Sequence, residues 1–262
     1  EARSARPLPP PAREAPEGRP HVSAETIAAL TGLADEYHAI AHNLSNASTT
    51  GYKRVLGRYT GPGALASTGG AATTGGGSAV DVSTGIDFSQ GRLVRTGRPL
   101  DVALSGKGFF VVETDRGERY TRNGVFRADP QGQLVDGSGR TVAGEGGPVI
   151  LPATVSPTEI QIAADGRILA AGTAVGQLRI VEFEDPSVLT SEGSGAFVAP
   201  ADARPTAAEN TTAQQGFQEA SNVDAVTELV GLIKVTRLYQ ANIHTMASGK
   251  DRTKALLGVA MA

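Results

Sequence analysis

The sequence contains no cysteine and no tryptophan, and its only aromatic side chains are seven phenylalanines and five tyrosines. The absence of cysteine excludes disulfides, thiolate metal sites and cysteine nucleophiles. The small number of aromatic rings argues against a large stacking surface for bases or sugars. These absences narrow the function classes before any motif is considered.

The chain also lacks a strong charge bias and a long apolar run. Its 24 basic and 27 acidic residues give a formal net charge of −3, and the two signs are interspersed. This is not the electrostatic pattern of a nucleic-acid-binding protein. No stretch approaches the roughly 18 consecutive apolar residues that a transmembrane helix requires. Its first residues show no apolar signal-peptide core, so we expect no cleavable leader.

Two segments with heptad spacing lie at opposite ends of the sequence. The last forty residues contain no proline, and they predict one helix over about residues 222–257. A second segment predicts a helix that starts near Ser23 and ends in a polar turn near Asn46. In each helix, the apolar residues at heptad positions form a narrow line along one face, which we call the seam. Each helix therefore needs another helix to cover its seam. The predicted seam residues are Ile27, Leu30, Ala34, Tyr37, Ala41, Leu44, Leu229, Leu232, Thr236, Tyr239, Ile243, Met246 and Leu257.

Between these segments the apolar period changes to two and turn signals become frequent. Asp-Gly and Asp-Pro-Gln-Gly sequences separate short runs of β-forming residues, which is typical of hairpins in a compact barrel or sandwich. The predicted strands are 91–95, 100–104, 108–113, 119–121, 125–128, 133–135, 159–163, 168–170 and 176–183.

These patterns predict an α+β fold in which long N- and C-terminal helices pair as a coiled coil and an all-β domain is inserted between them. The expected organisation is a disordered Pro/Arg-rich arm (1–22), an N-terminal helix with a polar turn (23–56), a Gly-rich loop (57–79), a β domain (80–200), a linker (201–220) and a C-terminal helix (221–262).

No catalytic, cofactor or metal site is predicted. His38 and His42 have the spacing of two ligands on one helix face, but Ala39 stands where a zinc protease has glutamate. Residues 193–195 lack the five-residue pattern of a nucleophile elbow. Residues 106–108 lack the third glycine of a dinucleotide-binding loop and fit a β-turn. We therefore expect a protein that is not an enzyme.

Three sets of motifs, in the right order, resemble those of the bacterial flagellar rod and hook axial proteins. Residues 42–53 resemble the N-terminal signature, although His42 and Ser45 depart from its commonest residues. Residues 98–112 and 120–126 resemble the central runs Leu-Asp-Val-Ala-Ile-x-Gly-x-Gly-Phe-Phe and Tyr-Thr-Arg-x-Gly-x-Phe. Residues 221–224 and 237–242 resemble the C-terminal signature. The signature positions carried over to this chain are Asn43, Leu44, Asn46, Thr49, Gly51, Tyr52, Lys53, Ser221, Asn222 and Val223.

The resemblance implies a structural subunit of the bacterial flagellar basal-body rod, which polymerises helically through its terminal helices. It also implies export through the flagellar type III apparatus without signal cleavage, and a place in the periplasm-spanning drive shaft. The implied partners are other copies of the chain, adjacent rod proteins, the export apparatus in transit and ring proteins around the rod. Nucleic acid, a cofactor and a small-molecule substrate are not implied.

Within that family, residues 98–101, 144–149 and 162–166 look more like the proximal-rod type. The distal-rod type is the alternative, because the Gly-rich insert lies where that type carries its specific loop. Two other classes stay open on the residues alone. A secreted carbohydrate-binding or adhesive β module would need an aromatic or acidic binding face, and a hydrolase would need a convergent nucleophile and base.

Overall fold

The structure, a computed structural model, describes residues 24–60 and 81–260. The predicted arm and most of the predicted Gly-rich loop lie outside these residues. Within them, helix α1 (Ala24–Ser45) and helix α2 (Ala225–Ala260) enclose 19 strands. The strands are β1 (Arg54–Thr60), β2 (Asp81–Asp87), β3 (Leu93–Arg95), β4 (Val102–Ser105), β5 (Phe109–Thr114), β6 (Gly117–Thr121), β7 (Arg127–Ala128), β8 (Leu134–Val135), β9 (Thr141–Gly144), β10 (Gly147–Pro148), β11 (Ile160–Ile162), β12 (Arg167–Ala170), β13 (Thr173–Gln177), β14 (Ile180–Glu182), β15 (Thr190–Gly193), β16 (Ala196–Val198), β17 (Thr206–Ala207), β18 (Thr212–Gln215) and β19 (Phe217–Glu219).

The largest sheet has ten strands, and the strand pairs of the described residues are antiparallel. Seven of its strands follow the order β15-β16-β6-β5-β9-β8-β7, while β10 pairs with β9, β14 with β5, and β17 with β14. A separate three-stranded sheet has the order β11-β12-β13. Three two-stranded pairs complete the β region, namely β1 with β2, β4 with β18, and β3 with β19. Strands late in the chain therefore return to strands near its start.

Aspartate-initiated turns close several hairpins in the way the sequence predicts. The Asp129 carboxylate accepts hydrogen bonds from the backbone amides of Gln131 (2.9 Å) and Gln133 (2.7 Å). The Asp136 carboxylate does the same for Ser138 and Arg140, at 2.9 Å each. A side chain that binds its own backbone two and four residues on stabilises a tight turn. These turns set the short strand lengths.

The central strand β5 is buried on both faces, and this divides the core into two clusters. Phe110 and Val112 face a cluster of aliphatic residues from β4, β8, β9, β11 and β12. Phe109 and Val111 face the opposite way, into a cluster that is richer in aromatic rings. Successive side chains of a strand point to opposite faces, so one run of apolar residues fills both clusters.

The predicted α+β fold with paired coiled-coil ends is wrong. The described chain is mostly β, and α2 has 36 residues whereas α1 has only 22. The helices touch near Ile40 and Gly231, but the seam residues Tyr37 and Leu229 remain 44% and 46% exposed. A heptad pattern identifies an apolar face of a helix but does not specify which surface covers it.

Residues 201–220, predicted as a linker, contain β17, β18 and β19. These strands are too short and too polar to show an alternating pattern, as the sequence Thr-Ala-Gln-Gln of β18 illustrates. They are strands because distant backbones pair with them: Ala213 lies opposite Leu104, and Gln218 opposite Val94. Such non-local pairing leaves little trace in the local sequence.

Candidate junction and assembly surface

The signature residues at the end of α1 first act as a helix stop. The Asn46 amide side chain donates to the His42 carbonyl (2.9 Å), and the Asn46 backbone amide donates to Asn43 O (3.0 Å). The Thr49 hydroxyl in turn donates to the Asn46 side-chain oxygen (3.1 Å). These bonds satisfy carbonyls that the helix end leaves without intrahelical partners. The chain therefore leaves α1 in a fixed direction.

Asn43 then attaches α1 to the first strand. It is buried, and its side chain mimics a backbone partner for Val55, since its Oδ1 accepts from Val55 N (2.8 Å) and its Nδ2 donates to Val55 O (2.8 Å). The Tyr52 hydroxyl also donates to Asn43 Oδ1 (3.0 Å) and lies 2.8 Å from His42 Nδ1. Burial, with the negative charge of Glu228, raises the pKa of Tyr52 to about 12. This phenol therefore stays protonated at physiological pH.

Gly51 brings the N-terminal signature against the central motif. Its φ is +68°, and a Cβ at this position would lie 2.5 Å from Asn123 N. Its amide donates to the Glu219 carbonyl at 2.7 Å. Both the backbone conformation and the close approach require glycine here.

A buried ion cluster lies directly behind this contact. Lys53 Nζ is 2.6 Å from Glu219 Oε1, and both side chains are fully buried. Arg122 Nη1 lies 3.5 Å from Glu219 Oε2, and its Nη2 donates to Gly106 O at 2.7 Å. The guanidinium also stacks over the Phe109 ring, 5.0 Å from the centroid. Burial lowers the pKa values of Lys53 and Arg122, while Glu219 acts in the opposite direction.

The C-terminal signature completes the arrangement. Asn222 Oδ1 accepts from Arg54 N (2.7 Å), and its Nδ2 donates to the carbonyl oxygens of Asp87 (2.8 Å) and Ser89 (3.1 Å). The Arg54 guanidinium binds the buried carboxylate of Glu228, in the first turn of α2. The start of α2 is thus attached to both β1 and β2.

Ser221 and Val223 occupy the adjoining turn. The Ser221 hydroxyl accepts from the Val223 amide (3.2 Å), and the Val223 side chain is buried. We call the region where residues 42–55 meet residues 121–124 and 219–228 the junction. It brings together parts of all three sets of signature motifs, which are far apart in the linear sequence.

The second feature is the exposed apolar surface of the helices. Val226, Val230 and Ile233 are 70%, 61% and 55% exposed, and they project from the side of α2 opposite the buried Val235. Sequence reasoning missed this stripe because the seam pattern was assigned to a single face. Its signal was the spacing of four and three residues, which is the same as that of the seam.

The predicted seam residues differ in their exposure to solvent. Leu229, Thr236, Tyr239, Ile243 and Tyr37 are exposed, whereas the remaining described seam side chains are half-buried. The side chains of Ile27 and Leu257 lie outside the described residues. The half-buried seam residues are Leu30, Ala34, Ala41, Leu44, Leu232 and Met246. An apolar cavity of about 260 Å³ opens between the helices, lined by Leu33, Ala34, Tyr37, His38, Val235, Thr236 and Tyr239.

The histidine pair identified in the sequence does not form a metal site. His42 is engaged with Tyr52, and His38 packs edge-on against Tyr37 with ring centroids 6.0 Å apart. Within residues 24–60 and 81–260, no group of three or more His, Cys, Asp or Glu side chains is arranged to hold a metal ion. In the same part of the chain, no helix has the length and hydrophobicity to cross a membrane.

Two family models match the chain. The model described as the flagellar hook protein FlgE/F/G D1 domain matches residues 103–170, and that of the flagellar basal body rod FlgEFG protein C-terminal region matches residues 214–259. The first match covers β strands of both core clusters, and the second runs from β18 through most of α2.

Curated relatives match over most of the chain. The flagellar basal-body rod protein FlgF of Caulobacter vibrioides is 33% identical over 211 residues, which cover 80% of this chain and 85% of the relative. FlgF of Escherichia coli is 33% identical over 246 residues (88% and 94%). FlgG of Buchnera aphidicola from Acyrthosiphon pisum is 30% identical over 241 residues (83% and 91%). These matches confirm the resemblance that the motifs indicated: the chain belongs to the FlgE/F/G family of flagellar hook and basal-body rod proteins and is a structural subunit of the rod.

Proposed function

We propose that this chain is a rod subunit of the FlgF type that polymerises through the apolar faces of α1 and α2. The observation that carries this proposal is the exposed stripe of Val226, Val230 and Ile233 on the side of α2 that faces away from the rest of the chain. A helix that exposes a stripe of large aliphatic side chains marks a surface that another protein surface covers. Burying each such side chain contributes about 1.5–3 kcal/mol.

The predicted seam is proposed as a second set of subunit contacts. Exposure of Leu229, Tyr239 and Ile243 supports this role, because one copy alone leaves them in water. Two different faces of one helix favour heterologous contacts, in which one face of a copy meets another face of its neighbour. Repeated without closure, such contacts generate a helical filament.

The relatives support the proposed position in the rod. The FlgF proteins of Caulobacter vibrioides and Escherichia coli match at 33% identity, and residues 98–101, 144–149 and 162–166 resemble the proximal-rod type. We place the subunit in the periplasm-spanning part of the rod, next to other rod proteins and inside the surrounding ring proteins. It reaches that place through the flagellar type III export apparatus, without signal cleavage. Assignment to a structural family favours this role over carbohydrate binding or hydrolysis.

The test introduces a charge into each exposed face. Ile233→Asp changes the outward stripe and Ile243→Asp changes the seam, while Thr245→Asp places the same charge on an exposed polar position of α2 outside both faces. We expect the first two variants to lose motility and incorporation into basal bodies and to keep the circular dichroism and urea midpoint of the wild type. Thr245→Asp is expected to assemble normally. Normal incorporation of both Ile variants would contradict the proposal.

Complementation tests the FlgF-type position separately. The chain is expressed in strains that lack either their FlgF or their FlgG protein. We expect motility to return only in the strain without FlgF. Restoration only in the strain without FlgG would assign the distal position instead.

A further inference from the structure

The charged centre of the junction lies inside the chain, not on its surface. Lys53 and Glu219 are fully buried and Asn43 is 1% exposed, so a neighbouring subunit has no access to these groups. They therefore have a function separate from the subunit contacts on α2. We propose that Lys53, Arg122 and Glu219 form a lock, which fixes both terminal helices to the β region only when the C-terminal segment has folded back. This proposal does not depend on the FlgF-type position.

The order of the three residues along the chain is the first argument. Lys53 precedes Glu219 by 166 residues, and Arg122 precedes it by 97. Without Glu219, the closed junction would contain two buried cations with no carboxylate of the described residues at salt-bridge distance. Burying an unpaired charge is strongly unfavourable, whereas a paired and hydrogen-bonded charge is tolerated. The closed junction is therefore unfavourable until the segment that contains Glu219 has folded against Lys53 and Arg122.

The second argument is that Glu219 holds several segments at once. Its Oε1 accepts from Gly91 N (2.8 Å), and its backbone carbonyl accepts from Gly51 N (2.7 Å). Its own strand, β19, pairs with β3, where it lies opposite Leu93. Release of this single residue therefore loosens the turn after α1 and the segment before α2 together.

The third argument is the position of the lock relative to the helices. Arg54 follows Lys53 directly and holds both Asn222 and Glu228, at the start of α2. Asn43, at the end of α1, holds Val55 on the same strand. Both helices are therefore attached to the first two residues of β1, and Lys53 connects this attachment to the β region. The lock determines the direction in which the apolar helix faces are presented.

Amide hydrogen exchange of the full-length chain tests the lock. In Glu219→Gln, we expect exchange at Gly51, Gly91 and Arg54 to accelerate together by about a hundredfold or more, the factor corresponding to a broken buried ion pair. Amides in the centre of β5, such as Val112, are expected to stay more strongly protected than the junction amides in both proteins, because the lock opens without unfolding the β region.

Lys53→Met provides a milder variant in case Glu219→Gln fails to fold. It leaves Glu219 paired with Arg122 and Gly91 N, so we expect a smaller acceleration, of about tenfold or more, at the same amides. The control is Glu118→Gln, which breaks the surface pair with Arg179 (2.6 Å) and is expected to change none of them. Acceleration confined to Gly91, or junction amides as strongly protected as those of β5 in the wild type, would overturn the proposal.

Discussion

Gly124 is the position at which a single methyl group is expected to have a large effect. It belongs to the central motif at residues 120–126, and its carbonyl accepts from Val102 N (2.9 Å). A Cβ at Gly124 would lie 1.7 Å from Val102 O and 2.8 Å from Phe110 Cε2. Both neighbours are fully buried, so neither can move aside into solvent. The motif therefore has glycine here because two backbones approach too closely for a side chain.

The magnitude follows from these contacts. Overpacking a close-packed core costs about 1–3 kcal/mol. Separating the two segments would also weaken the bond between Val102 N and Gly124 O, which contributes about 1 kcal/mol. We therefore expect Gly124→Ala to lower the free energy of unfolding by about 2–4 kcal/mol. For a chain of this size, that corresponds to a decrease in melting temperature of roughly 4–16 °C.

Urea and thermal unfolding, followed by far-UV circular dichroism, measure this change. Gly146→Ala is the matched control, because nothing lies within 4 Å of a Cβ built there and its φ is not in the left-handed region. The control is expected to be neutral or stabilising by up to about 1 kcal/mol, since alanine restricts the unfolded chain. If the two variants differed by less than about 0.5 kcal/mol, smaller than the overpacking term alone, the steric reasoning would be refuted.

Two further predictions concern the junction. The folded pKa of Tyr52 is raised to about 12, above its ordinary value of 10.0, so its contribution to stability is complete below pH 10 and is lost as the pH rises towards 12. Tyr52→Phe should remove this part of the alkaline loss of stability and the late-titrating tyrosinate absorbance; unchanged profiles would contradict the assignment. Asn43→Ala should destabilise the chain by about 2–4 kcal/mol because both polar groups of Val55 lose their partner, whereas Asn46→Ala, at the half-buried helix end, should cost about 1 kcal/mol. Equal urea midpoints for the two Asn variants would argue against the role of Asn43.

The sequence alone determined those features that depend on neighbouring residues. Heptad spacing located the two helical segments, and Asp-containing turns located most hairpins of the middle region, because side-chain periodicity and turn chemistry are local properties. The motifs at residues 42–53, 98–126 and 221–242 identified the family. The missing cysteines excluded disulfides without any structural information.

Only the tertiary structure decided how these parts meet. Strands β17 to β19 exist because their partners come from β14, β4 and β3, and the sequence between residues 201 and 220 carries no comparable local signal. The apolar seams were visible, but which of their residues stay in water depends on how α2 is held at its start. Arg54 attaches the start of α2 through its contacts with Asn222 and Glu228. The buried charge of Lys53 is paired with Glu219, which lies 166 residues later in the sequence. Pairings over such distances are selected by the burial and desolvation of charge, which no local pattern encodes.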